Sequence, residues 1–206
     1  MKVNTQEMKY ISELLDITAR MLSAFNLHKL LRQILETSLN LLNADTGSLM
    51  LLEDESKTLK IKAARGLAED ITQKVSVKVG EHISGWVAKH GEPLLLVGGL
   101  RGDPRFNHLD EKKEIKSSIC VPLKVENRVI GVLNLNSLSH ENLFSELDLK
   151  LVSLLANQAA ISIFNVRLYE EAKKATADCK TMQQKLIERE KVAALEIGRA
   201  SCRERV

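Results

Sequence analysis

The chain has 206 residues, 44% hydrophobic and 28% charged, which supports one packed domain with appendages and an ordinary polar surface. Its 30 Lys and Arg against 27 Asp and Glu leave a formal charge of +3, and aromatic residues make up 3%. That excludes the basic footprint and stacking platforms of a nucleic-acid binder and gives no pull toward an anionic membrane surface. Apolar runs such as "PLLLVGGL" at 93–100 fall far short of a bilayer span. Met1 leads into polar residues and not into a signal-peptide core.

Ile11, Leu14, Leu15, Thr18, Met21, Leu22 and Phe25 recur at intervals of three and four and predict a helix up to a break at Asn26. A second amphipathic stretch runs on Leu27, Leu30, Leu31, Ile34, Leu35, Leu39 and Leu42, and "NADTG" at 43–47 stops it. "SLMLLE" at 48–53, "TLKIKAA" at 58–64 and "KVSVKV" at 74–79 read as strands, the last two by their alternation. Gly80, Gly85, Gly91 and Pro93 punctuate a short helix from about Ile83 to His90, followed by a brief strand on "PLLLV". The stretch from Gly98 to Glu114 is loop-rich, with at most one helical turn. "SSICVPLKVENRVIGVLNLNS" at 117–137 predicts two strands joined at "ENR" as an antiparallel hairpin.

From Ser145 the helical period returns, with Ser145 as cap and Asp148 in the first turn. It runs through Leu149, Val152, Leu155, Ala156, Ala159, Ile163 and Val166. Beyond these, Leu168, Ala172, Ala175, Cys179, Met182 and Leu186 alternate at steps of four and three, a coiled-coil seam in which Glu170 and Lys174 are spaced for an i,i+4 pair. The alternation of elements predicts an α+β domain flanked by coiled-coil segments.

Six stretches occur in one order: "LLNADTGSLMLLEDES", "LKIKAARGL", "VKVGEHISGWVAKHGEPLL", "GDPRF", "SSICVPLKVENRVIGVLNLNS" and "FSELDLKLVSLLANQAAISIFNVRLY". Together they resemble a GAF domain over about residues 27–169. The resemblance implies a six-stranded antiparallel sheet with helices on both faces. One face carries the first and last helices, which in the family commonly pair with those of a second subunit. On the other, the short helix and long loops close over a small-molecule pocket. A homodimer and an unidentified small-molecule ligand are therefore the expected partners. Trp86, His82, Val87, Cys120, Ser118 and Phe106 are the expected pocket residues. The division that follows is an N-terminal dimerisation helix at 1–26, the sensor domain at 27–169 and a coiled-coil output linker at 170–195.

The last helix carries a second resemblance. "LIEREKVAAL" is similar to the approach to the dimerisation helix of sensor histidine kinases, which implies a downstream kinase core in cis and, through it, a response regulator. "IGRASCRERV", Ile197 to Val206, resembles one reading frame of a short sequencing adapter, ATC GGA AGA GCG TCG TGT AGG GAA AGA GTG. Residues 196–206 are accordingly expected to be a translated scar. Setting that tail aside removes three arginines and one glutamate, leaving 27 basic against 26 acidic residues. It also leaves Cys120 and Cys179, too far apart in sequence for a disulfide framework or zinc spacing. A reducing cytoplasm is the expected compartment.

No catalytic constellation is visible. His28, His82, His90, His108 and His140 are scattered, without HExxH or a pair one turn apart. His82 and His90 flank the short helix, where an exposed histidine and a metal or haem ligand are the alternatives, and no cofactor is predicted. In the family the position of His82 is usually small, often glycine. Cys120 shares a strand face with Ser118 and Pro122 and reads as a buried structural thiol, with redox or ligand contact as the alternative. Trp86 reads as core, pocket wall, or both. Several departures narrow the family's options. Val121 follows Cys120 where bilin-binding relatives carry histidine. Free methionine sulfoxide reductases need a second thiol near the pocket. Ser137 and Leu149 stand where cyclic-nucleotide binders carry lysine and glutamate, and Gly98-Gly99 where many members carry aspartate. The reading is a sensor without catalysis of its own, and a ligand-free dimerisation module is the alternative.

Overall fold

A computed structural model describes residues 26–53, 55–68, 75–99, 103–106 and 115–203, with 188–203 as backbone. The helix expected at 11–25 lies outside the described residues. The chain divides into two units, Met1–Val166 and Arg167–Val206. The described part of the first is built from helix α1 (Leu27–Leu42), strands β1 (Thr46–Glu53), β2 (Thr58–Arg65) and β3 (Ser76–Lys78), helix α2 (His82–His90), strands β4 (Leu94–Val97), β5 (Ser117–Val125) and β6 (Arg128–Ser137), and the first part of helix α3 (Glu146–Arg203).

Local chemistry sets these boundaries. Asn26 caps α1 by accepting from the Lys29 N–H at 3.1 Å, and Asn43 closes it in the left-handed region at φ 48°. Ser145 and Asp148 form a reciprocal cap at the start of α3. The Asp148 N–H donates to Ser145 Oγ at 3.3 Å, and the Ser145 N–H donates to Asp148 Oδ2 at 2.8 Å. Between β5 and β6 the turn needs only two residues, and Glu126 takes φ 54° to make it.

The strands form one antiparallel sheet in the order β3-β2-β1-β6-β5-β4. Because strand side chains alternate, the sheet builds two cores. On one face Leu49, Leu51, Val121, Leu123, Leu133 and Leu135 meet Leu30, Leu31, Ile34 and Leu35 of α1 and Val152, Leu155, Ala156, Ala159 and Ile163 of α3. On the other, Met50, Leu59, Val77, Leu94, Leu96, Cys120 and Val132 meet Val87 and Ala88 of α2 and Phe106. Truncating a fully buried leucine such as Leu133 or Leu135 removes about 2–5 kcal/mol.

α2 is seated on β3 through glycine. The Gly80 N–H donates to the Gly85 carbonyl at 2.7 Å, and a Cβ on Gly85 would stand 2.2 Å from the Lys78 carbonyl oxygen.

The stretch Glu146–Ile187 of α3 contains an 18-residue window of mean hydropathy 1.4, long and apolar enough by composition to cross a bilayer, and 44% of that window is buried inside the protein. Alanines and serines between its leucines hide the run from a search for contiguous large apolar residues. The buried share belongs to the sheet-packed side of the helix, the ordinary reason a core helix is this apolar.

Candidate functional site

On the α2 face, alternation brings a polar strip to the end of the sheet where β4 leaves and β5 returns. Thr46 pairs across the ladder with Asn136 and Asn136 with Ser118; one register step inward, Ser48 pairs with Asn134 and Asn134 with Cys120. Leu96 faces Ser118 and Leu94 faces Cys120 from the edge strand β4. The side chains bond in two short relays. Ser118 Oγ donates to Asn136 Oδ1 at 2.7 Å, and Asn136 Nδ2 donates to Thr46 Oγ1 at 3.2 Å. Ser84 Oγ, reaching down from α2, donates to Asn134 Oδ1 at 3.1 Å, and Asn134 Nδ2 donates to Ser48 Oγ at 3.3 Å.

An amide carries two N–H donors and a hydroxyl one. Each asparagine therefore commits one N–H to its relay, and the Thr46 and Ser48 hydroxyl protons stand at the relay ends. Ser118, Asn134, Asn136 and Thr46 are half-buried. The strip is thus pre-oriented, uncharged and able to donate further. Beside it lies the apolar cluster under α2. Gly98, at the start of the β4–β5 connection, donates to the Lys116 carbonyl at 2.8 Å and ties the two ends of that connection together at the strip.

The expected pocket residues divide between floor, core and surface. Ser118 belongs to the strip. Val87, Cys120 and Phe106 are buried to 0%, 2% and 2% exposure and are packed core. Trp86 is half-buried against that core. Its ring stacks on His90 at 4.3 Å, meets Phe106 edge-on at 6.0 Å and lies beneath the Arg105 guanidinium at 4.6 Å. Asp103 grips the same guanidinium, each holding the other in its charged form. His82 is exposed at the start of α2 with φ 52°, a backbone that glycine adopts freely and histidine does not. A glycine, which the resemblance leads one to expect at this position, would take that backbone without strain. His90 is also exposed, its Nδ1 held at 2.9 Å from the Trp86 carbonyl.

Burial pushes the Cys120 thiol well above its ordinary range, against a smaller opposing effect of a Ser84 hydrogen bond. A protonated, enclosed thiol is a poor nucleophile. Sequence reading left Thr46, Ser48, Ser84 and Asn134 out of the expected pocket and weighed Asn136 only with Ser137, against the Asn-Lys pair of cyclic-nucleotide binders. The signal was present in the period-two placement of Asn in "LNLNS" and Ser in "SSIC", but the partner strand order that joins them was not.

A concavity of about 370 Å³ also opens between α1 and β2, lined by His28, Arg32, Lys62, Leu67 and neighbouring β2 residues. Among the described residues no group of three His, Cys, Asp or Glu side chains converges as metal ligands would.

The family profile described as GAF domain matches residues 26–163. The chain belongs to the GAF domain family. Among curated relatives, a dual 3',5'-cyclic-AMP and -GMP phosphodiesterase 11 of Drosophila melanogaster is 29% identical over 191 residues, covering 83% of this chain and 13% of the relative. A Nif-specific regulatory protein of Azospirillum lipoferum is 28% identical over 173 residues, covering 80% and 27%. The GAF chain thus spans a small part of each relative's length. Among solved structures, the GAF domain of an Acinetobacter phosphoenolpyruvate-protein phosphotransferase superposes with TM-score 0.67 at 23% identity, covering 81% of this chain and 97% of that one. Free methionine-R-sulfoxide reductase from Neisseria meningitidis superposes with TM-score 0.66 at 20% identity, covering 82% and 96%. The solved structures establish the fold, and the family match places the chain among GAF regulatory domains.

Proposed function

We propose that this GAF domain senses a small molecule on the Thr46–Asn136–Ser118 strip and reports occupancy through α3 to an output domain. The observation that carries the reading is the strip itself. It consists of half-buried, pre-oriented amides and hydroxyls with donors left over, set against an apolar wall where the β4–β5 connection begins and ends. Such a surface suits a ligand with a hydrogen-bonding edge and an apolar body. Cyclic nucleotides, the substrates in the Drosophila relative's name, have weaker support. Ser137 is fully buried and Leu149 packs against the α1–α3 core, so neither position supplies charge to the strip. Screening the full chain by thermal shift with a metabolite library that includes cyclic nucleotides tests the proposal. A specific compound should raise the melting temperature, and Asn136→Ala should abolish that rise. If no compound shifts the wild type, the reading fails.

The output proposed is a histidine kinase core, supported by "EREKVAAL"; a diguanylate cyclase or transcriptional activator would be served by the same helix. A longer reading frame lacking a His-Glu pair within a few turns of Leu195 would remove the kinase. The second reading, a dimerisation module that binds nothing, has one observation in its favour. Val87, Cys120 and Phe106 fill the space under α2 as ordinary core. On that reading no compound raises the melting temperature, and Asn136→Ala costs only the stability of its relay to Ser118 and Thr46.

A further inference from the structure

The concavity between α1 and β2 opens beside α1, which packs on the sheet face opposite the strip, and its charge is one-sided. His28 and Arg32 stand one turn apart on α1, and with Lys62 they put three basic side chains on the lining. No carboxylate lines it among the described residues. The nearby acids are already held. Glu36, four residues after Arg32 and spaced to pair with it, is taken instead by Arg65. Glu53 is held by Lys60 at 2.8 Å and reaches Lys62 only at 3.6 Å. Among the described residues, neither His28 nor Arg32 has an ion pair or a side-chain hydrogen bond. A bulge shapes the β2 wall. The register steps from Leu49 opposite Ala63 to Met50 opposite Ile61, which makes Lys62 the extra residue. Regular alternation would turn every second residue away. The bulge re-aims them, and Ile61 to Ala64 line the concavity in an unbroken row.

We propose that this concavity is a second binding site, which takes a small molecule by a phosphate monoester group. The Arg32 guanidinium offers a planar fork that matches two phosphate oxygens, and Lys62 and His28 add donors for the third. A carboxylate has two oxygens and would leave part of this set unused. The first turn of α1 contains no acidic residue, so the positive end of the helix dipole adds to the same charge. A volume of about 370 Å³ exceeds what a bare phosphate fills, and Ala63 and Leu67 give an apolar margin to a small organic body. The bound group ties α1 to β2. The inference does not depend on the reading of the strip as a sensor site.

Isothermal titration of the full chain with inorganic phosphate and with glycerol 3-phosphate tests it. Both should bind, glycerol 3-phosphate with a dissociation constant below about 1 mM, and glycerol should not. Arg32→Gln and Lys62→Gln should each weaken binding at least about 10-fold. Arg32→Lys should weaken it as well, because it keeps the charge and loses the fork. Arg65→Gln frees Glu36 to reach Arg32 and should also weaken binding, although Arg65 does not line the concavity. Lys29→Gln removes an exposed cation of α1 outside the lining and should change the affinity less than about 2-fold. Co-sedimentation with phosphatidic acid vesicles separates two sources of the same group. Retention that Arg32→Gln abolishes assigns it to a lipid headgroup, and binding of free glycerol 3-phosphate alone assigns it to a soluble metabolite. Either result supports the site. Absence of binding by both phosphate compounds, succinate bound as tightly as glycerol 3-phosphate, or equal weakening by Lys29→Gln and Arg32→Gln would overturn the proposal.

Discussion

Two side chains of the α2 face illustrate how position overrides residue type. Cys120 is chemically capable of redox work, yet full enclosure raises its pKa and keeps it a thiol. Cys179, by contrast, is exposed. In the folded chain an iodoacetamide pulse mapped by peptide should label Cys179 and leave Cys120 unmodified until denaturant is added; equal labelling would show that the α2 face opens. The same burial has a pH consequence. In the unfolded chain the thiol ionises above about pH 8.5, while the folded form retains its proton. The unfolded state then binds fewer protons than the native state. Stability is therefore full below that pH and falls as pH rises through it. Cys120→Val should flatten this alkaline loss in urea titrations between about pH 8 and 10. His82 makes the converse case, an exposed side chain whose cost lies in its backbone.

At the level of elements, α2 is held by a contact that only a missing side chain permits. Its first turns lie against the β3 strand end, where Gly85 leaves 2.2 Å between an added Cβ and the Lys78 oxygen. Gly85→Ala should cost about 1–3 kcal/mol, the range for overpacking, read as a lower denaturation midpoint with an unchanged slope. Because Ser84 anchors Asn134 from the same helix, displacement of α2 should also disturb the strip. Ordinary helix propensity would predict a gain from the same change, so the sign of the effect decides whether the close approach exists in solution.

For the whole molecule, a ligand acts at a distance only if it binds two arrangements unequally, by about 1–3 kcal/mol for ordinary coupling. Ala172 and Ala175 are exposed at positions of the seam expected from the sequence, where so small a side chain would bury little area and suit a pairing that can change. Replacing both with leucine should strengthen self-association and lock the output in one state. A ligand response of wild-type size in that variant would show that the signal does not pass through this seam.

Much of the architecture was legible without coordinates because it rests on local rules. The helix stops at Asn43, Ser145 caps α3, and the hairpin turns at Glu126-Asn127, each from turn and cap chemistry within four residues. The period-two alternation of 117–137 likewise placed Ser118 and Cys120 on one strand face. The strip could not be read, because Thr46 and Asn136 are 90 residues apart and meet only when β1 pairs with β6. Nor could the burial of Val87 and Phe106, or the outward exposure of Leu154 and Ile161, since a leucine in an amphipathic helix looks the same whichever neighbour covers it. Sequence alone determined the elements and their order, since backbone preference and side-chain period act over a few residues. Only the tertiary structure decided which polar groups converge and which apolar stripe of α3 the sheet leaves uncovered, because both follow from strand pairing across the whole chain.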